Sequence, residues 1–332
     1  MESESRKCRT AASDRAARTR QQESPGTREG GDTRSKTGKV MVLALALALG
    51  PVVSTTSALA SSTDGAAEVR FELYRGYTIV AKGSIGELQK LNFIIDTGAV
   101  PSVVDARIAR KLGLEGAADS VSVFSGKDVQ VEQVVVPSIR VGPVEADSVR
   151  ALVHDLRFIE KALGVRIDAI IGLDVLGAHD FTIDYAARLM AFGMPAREAG
   201  TPKTDESKVT FENEPGFVVV QVQIQGHPLR LMVDTGTNDL VLFAPRVQGR
   251  LAGAHAVGVK TKTSLGGEER LPVLELDGAK MGSTELAGQR AVLIDGEGPA
   301  AADLDGLLGV ASLGVKRIAF DFEHNTIRWE PR

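Results

Sequence analysis

The tripeptide Asp-Thr-Gly occurs twice, each time at the end of an apolar run, and both occurrences keep step with other repeated segments. Residues 91–98 read LNFIIDTG and residues 229–236 read LRLMVDTG, so Asp96 and Asp234 stand 138 positions apart. DAIIG at 168–172 and DGLLG at 305–309 follow at an offset of 137, and FTID at 181–184 and IAFD at 318–321 keep that same 137. Three anchors moving together describe a duplicated unit, and a duplication changes the meaning of every residue inside it. A chain of this kind has to fold as two similar bodies.

The segment AREAGTPKTDESK at 196–208 is polar, holds Gly200 and Pro202, and has no apolar periodicity, which predicts a linker. The expected organisation is a tail with a targeting segment over 1–60, a first domain over 61–195, the linker 196–208, and a second domain over 209–332. Short β-type segments open each copy: Tyr77 to Ile85 and Leu91 to Ile95, then Phe217 to Ile224 and Leu229 to Val233. Asp105 is placed to cap a short helix running to Leu112, with Gly113 ending it. A further hairpin is expected in each copy, one over about 121–136 turning at Gly126, the other over about 257–276 turning at Gly266 and Gly267.

Composition narrows the function classes. The 332 residues suit two domains, and 43% apolar with 25% charged residues is ordinary for a globular chain. The single cysteine, Cys8, lies in the Arg-rich tail, which excludes an internal disulfide framework, a cysteine zinc site and a thiol nucleophile in the body. The five histidines show no metal-ligand spacing, so no metal and no cofactor are expected. The first sixty residues hold 10 of the 39 Lys and Arg and 6 of the 43 Asp and Glu, so the remainder carries a formal net charge of −8. That balance disfavours nucleic acid or an anionic membrane as a partner.

Arg34, Lys36 and Lys39 precede an apolar run from Val40 to Leu49, Gly50 and Pro51 break it, and Ala58-Leu59-Ala60 closes it. This order is that of a secretory signal peptide, with cleavage expected after Ala60 and a periplasmic or secreted product. An uncleaved anchor is the alternative, against which the interruption after ten residues weighs. Residues 1–33 have almost nothing to bury and are expected to be disordered, or to arise from a start codon set too far upstream.

Each Asp-Thr-Gly follows a segment that reads as a buried strand, Phe93-Ile94-Ile95 or Leu231-Met232-Val233, so each carboxylate is delivered from the core rather than from a mobile loop. A turn residue satisfied by local amides would explain one such Asp. It does not explain two, each with the same downstream apolar-apolar-Gly. Asp168 and Asp305, just before those segments, are expected to be caps or turn formers, and Ser312 does not fit a serine-hydrolase elbow.

These residues resemble the retropepsin-like aspartic peptidases, in particular bacterial single-chain proteins with two such units in tandem, over nearly all of residues 68–332. The resemblance implies a mainly β fold of two acid-protease β-barrel domains with short helices, related by a pseudo-twofold axis. It implies Asp96 and Asp234 as the catalytic pair, with Thr97, Gly98, Thr235 and Gly236 as supporting loops whose threonines hydrogen-bond across the interface. Gly172 and Gly309 would pack against those loops, and the hairpins at Gly126 and at Gly266 and Gly267 would be flaps. Neither hairpin contains a Tyr, which departs from the pepsin pattern, and with Ala99 against Thr237 the halves need not be electrostatically equal.

Two carboxyls within hydrogen-bond reach cannot both ionise readily, an effect for which aspartic proteases are the standard illustration. The charged one can act as base on a water held between them, and the protonated one can polarise a carbonyl and return a proton to the leaving amine. The expected activity is an exported aspartic endopeptidase, a hydrolase acting on an extended peptide or protein, with one site per chain, monomeric and pseudo-dimeric. A peptide-binding pseudo-peptidase of the same fold is the alternative, and pairing of each unit with a twin in another chain is a third arrangement.

Overall fold

The apolar runs that end in Asp-Thr-Gly form the middle of each half. In the first, strand Leu88–Ile95 leads into the tripeptide and the chain returns as Val103–Asp105. The later strand Ala169–Ile171 slots between them, parallel to the first and antiparallel to the second. His227–Asp234, Leu240–Phe243 and Gly306–Gly309 repeat this arrangement in the second half. Being covered on both faces, these strands read as unbroken hydrophobic stretches rather than as alternations. Phe93, Ile95, Leu231 and Met232 are all fully buried.

The computed structural model describes residues 67–124, 127–193, 208–214, 216–251, 254–286, 290–296 and 303–331. The expected tail and signal segment, all of the expected linker but Lys208, and Gly126 lie outside the described residues. What is described is mainly β, and its longest α-helix has seven residues, Arg157–Leu163. None of the described helices is long and apolar enough to cross a membrane.

Around each central unit the strands wind toward closure. In the first half the long hairpin Asp128–Val141 and Val144–His154 folds back so that Ser84 and Ile85 of strand Thr78–Ile85 pair with Arg140 and Ile139, returning the sheet upon itself. The long strands of the second half are interrupted. Gly267–Glu275 stops, Gly278 takes φ +92°, and Ala279–Met281 resumes to pair with Phe217–Ile224. The expected capped helix is Ala106–Lys111, with the Asp105 carboxylate accepting from the Arg107 N–H and Gly113 at φ +64° just past its end.

Asp168 and Asp305 depart from expectation. Neither closes a turn or caps a helix. Each pins the strand it begins to the strand that carries the catalytic candidate: Asp168 accepts from the Asn92 N–H at 2.9 Å and Asp305 from the Arg230 N–H at 2.9 Å. Parallel strands need such fastening where their ladders start, and a carboxylate fits because Arg166 and Arg250 sit beside the two acids.

The halves are joined by a sheet to which both contribute. Among the described residues its strand order is Lys208–Thr210, Thr326–Pro331, Val315–Asp321, Phe181–Asp184, Leu189–Phe192, Ala67–Tyr74. The expected linker therefore ends inside a strand, at Lys208. At the centre Phe181 pairs with Phe320, Thr182 with Ala319 and Ile183 with Ile318. Under the 137-residue offset Thr182 and Ala319 are equivalent positions, and the other pairs exchange, so the pseudo-twofold axis passes through the Thr182–Ala319 pair. This register is that of an isologous contact. Phe181 and Phe320, with ring centroids 4.8 Å apart, fill the core beside it.

An isolated half would leave the edge of Phe181–Asp184 unpaired, and that edge is self-complementary. Residues 61–200 expressed alone are expected to form a concentration-dependent dimer by sedimentation, through the register described. A fragment that sediments as a monomer at every concentration would show that the edge needs no partner.

Candidate active site

Asp96 and Asp234 meet at the floor of a cavity of ≈ 640 Å³ between the halves. Local backbone supports each carboxylate in the same way. The Gly98 N–H donates to Asp96 Oδ1 at 2.9 Å, and the Gly236 N–H to Asp234 Oδ1 at 2.6 Å. The glycines are demanded by the opposite acid. A Cβ at Gly98 would lie 2.6 Å from the Asp234 carboxyl carbon, and one at Gly236 would lie 2.5 Å from Asp96 Oδ2. Gly172 and Gly309 serve one layer below, where a Cβ would strike the Ala99 carbonyl at 1.7 Å and the Asp239 carbonyl at 2.6 Å.

Thr97 and Thr235 cross beneath the two acids. Thr97 Oγ1 donates to the Val233 carbonyl at 2.8 Å and accepts the Thr235 N–H at 3.1 Å. Thr235 Oγ1 does the same in reverse, donating to the Ile95 carbonyl at 2.9 Å and accepting the Thr97 N–H at 3.0 Å. Both threonines are buried, so the four bonds form without competition from water.

The two carboxyls are close enough to influence each other, and their surroundings differ. Burial, reinforced by the neighbouring Asp234 charge and the bond to it, holds the Asp96 carboxyl well above the ordinary carboxylate range. Burial raises Asp234 too, but the bond from Asp96, the Gly236 N–H and the Lys262 charge pull it back. The two environments therefore differ in the direction that favours a proton on Asp96 over one on Asp234. Such a pair titrates as a unit with two macroscopic steps.

Two hairpins roof the cavity. The strands Ala117–Ser122 and Asp128–Val141 form the first, and His255–Ser264 with Gly267–Glu275 the second, so Gly266 and Gly267 stand at the tip, Gly267 with φ +97°. The tips touch. A Cβ at Gly266 would lie 2.8 Å from Val123 Cγ2, and Lys127 Nζ pairs with Glu269 Oε1 at 2.6 Å. Each tip also reaches into the other half: Phe124 stacks on Phe243 with centroids 5.6 Å apart, and Leu265 packs against the apolar cluster of the first half.

Several lining residues carried no sequence signal. Phe158, Ile159 and Leu163 enter from helix Arg157–Leu163, and Tyr77 from the turn before Thr78–Ile85, so a tyrosine reaches the cavity although neither hairpin supplies one. Lys260, Lys262 and Asp239 were equally silent. An alternation such as Lys-Thr-Lys-Thr does not disclose which face is inward.

Replacing Thr97 by Val removes one hydroxyl and strands a buried carbonyl and a buried N–H, each worth about 1–3 kcal/mol. The Thr97→Val protein is expected to lose about 2–5 kcal/mol in urea unfolding, and Thr97→Ser, which keeps the hydroxyl, no more than about 1 kcal/mol. A loss in Thr97→Ser as large as or larger than that in Thr97→Val would show that the hydroxyl does not carry the stability.

A family model described as "Aspartyl protease" matches residues 81–175 and 220–311, once in each half and together more than half of the chain. No curated protein matches the chain. The first matched span contains Asp96, its supporting loop and Gly172, and the second contains Asp234, its loop and Gly309. The chain belongs to the aspartyl protease family, which it enters as two retropepsin-like units in tandem.

Proposed function

We propose that the protein is an endopeptidase in which Asp96 and Asp234 together activate one water molecule. The observation that carries this reading is the meeting of two carboxyls, Asp234 buried and Asp96 half-buried, at the floor of one cavity under a closed roof, each held by the N–H of its own glycine. Ionised Asp234 takes a proton from the water as its oxygen attacks the scissile carbonyl carbon. Asp96 gives its proton to the carbonyl oxygen, producing a neutral tetrahedral diol. Collapse breaks the C–N bond, with one carboxyl delivering a proton to the amine and the other recovering one from the diol. Neither acid bonds covalently to the substrate.

The fitting substrate is an extended peptide. Lying between floor and roof, it can pair its backbone as a strand while its side chains fall alternately toward each half. Apolar walls flank the acids on both sides, Ile94 and Ile170 on one and Val241 and Leu307 on the other. The contact between the hairpin tips gives specific support to the rival reading of a covered, non-cutting binder, since a peptide enters only when they part.

Asp96→Asn and Asp234→Asn are each expected to abolish cleavage as completely as the double substitution, because residues acting as a unit lose function non-additively. A peptide-library digest read by mass spectrometry decides this. Cleavage that persists in either folded variant excludes the dyad, and binding without cleavage by the wild type establishes the binder. The rate should fall as pH drops and Asp234 gains a proton, and again as pH rises through the elevated titration of Asp96, which removes the donor.

Export is part of this proposal, resting on the basic, apolar and Ala-Leu-Ala succession of residues 34–60. Terminal sequencing of the protein recovered from an exporting host should begin at Ser61. Soluble extracytoplasmic chains that begin before Val40 would refute it.

A further inference from the structure

The second hairpin is built inside out. Along His255–Ser264 the residues turned outward include Val257 and Val259, 41% and 58% exposed, while Lys260 and Lys262 face the cavity. A strand over an apolar cleft ordinarily carries the opposite pattern, and the inversion places two ammonium groups in partial burial. Such groups need partners.

Their partners lie on the loop that carries Asp234. Lys262 Nζ donates to Thr237 Oγ1 at 2.6 Å and to Asp239 Oδ2 at 2.7 Å, and Lys260 Nζ to Asp239 Oδ1 at 2.6 Å. Against the burial that would push it up, Lys262 and Lys260 hold Asp239 below the ordinary carboxylate range. Two ammonium groups and one carboxylate leave one positive charge over, and a dyad with one proton carries one negative charge.

Nothing equivalent stands over Asp96 among the described residues. Ala99 occupies the position of Thr237 and has no hydroxyl, Pro101 occupies that of Asp239 and has no charge, and Ser102 follows it. Ser102 is turned into its own half, accepting the Gly172 N–H at 2.9 Å and donating to Asp174 at 2.7 Å. On the first hairpin the corresponding inward side chains are Val121 and Val123, both buried.

We propose that Lys262 is the positioning residue that makes Asp234 the charged member of the pair and leaves the proton on Asp96. It acts through space and through Thr237, and since the hairpin carries it, the assignment is complete only with the roof closed. The inference rests on the reading of the two acids as a proton-sharing pair. The other charged or titratable groups around the cavity are Asp96, Asp239, Lys260, Arg75, Tyr77 and the Lys127–Glu269 pair. Of these cations Arg75 alone has no carboxylate partner among the described residues, but Lys262 is the cation whose charge acts on one of the acids through a loop it bonds directly. Arg75 is on the first half, held by the Ala162 carbonyl at the end of helix Arg157–Leu163. The Lys262 charge acts on Asp234 against the effect of burial, which is the same sign.

The test is a carboxyl ¹³C NMR titration of the full chain, one acid at a time. In Asp96→Asn, adding Lys262→Met should raise the titration of Asp234 by about one to two pH units, the size of one nearby partly screened charge. In Asp234→Asn the same addition should move Asp96 by less than half as much. Lys262→Arg should restore the Asp234 value, and Lys262→Gln supplies a second neutral variant should the methionine disturb folding. Equal movement of both acids, or of neither, overturns the proposal. With both acids present, Lys262→Met should shift the acid limb of the kcat/KM profile upward by the same amount, a displacement that loss of packing alone would not cause. If the wild type cuts no peptide and the titrations still differ as stated, the peptidase reading fails and the role of Lys262 stands.

Discussion

Everything in the site hangs on four hydrogen bonds exchanged by two buried hydroxyls. Thr97 and Thr235 each donate to the strand that delivers the other half's aspartate and accept the other's N–H. Because the groups are buried, a displacement that broke the set would strand polar atoms away from water, at a cost several times the net value of the bonds themselves. The loops are therefore held at one height, and the two carboxyls are brought into mutual contact as a consequence. Gly98 and Gly236 are the complement of this closeness, since each faces the opposite carboxylate with no room for a side chain.

The joining sheet obeys the same axis by different means. Its central register places equivalent residues, Thr182 and Ala319, opposite each other, and the apolar pairs on either side interchange. Two independent contacts, one of side-chain hydroxyls and one of backbone ladder, thus specify one rotation between the halves. A single contact would leave a hinge. Two leave the cavity a fixed width, which proximity chemistry requires of groups that must act together.

Symmetry ends at the positions that tune charge. Duplicated halves would give the acids equal environments, and equal acids would share a proton without preference. Here Ala99 stands where the other half has Thr237 and Pro101 where it has Asp239, so one loop is fastened downward into its own half through Ser102 and the other upward to the roof. In the proposed mechanism the general base and the general acid would be distinguished by environments that push their titrations apart, as in other sites that run both kinds of chemistry at one pH.

From the sequence alone come the duplication, the two buried strands that end in Asp-Thr-Gly, the capped helix after Asp105 and the positions of two hairpins. All of these are written in local chemistry, namely residue period, caps and turn glycines. The aspartyl protease family model falls on the same two units. Other features depend on which residues lie close in space while remote in sequence, and no local pattern carries that. Asp168 and Asp305 read as turn residues because a strand partner more than seventy positions away is invisible in a linear string. The inward face of the Lys-Thr alternation at 260–263 was undecidable because a two-residue period has two equal phases until a neighbour covers one. Folding chose the phase, by setting Asp239 and Thr237 beneath the lysines rather than open water.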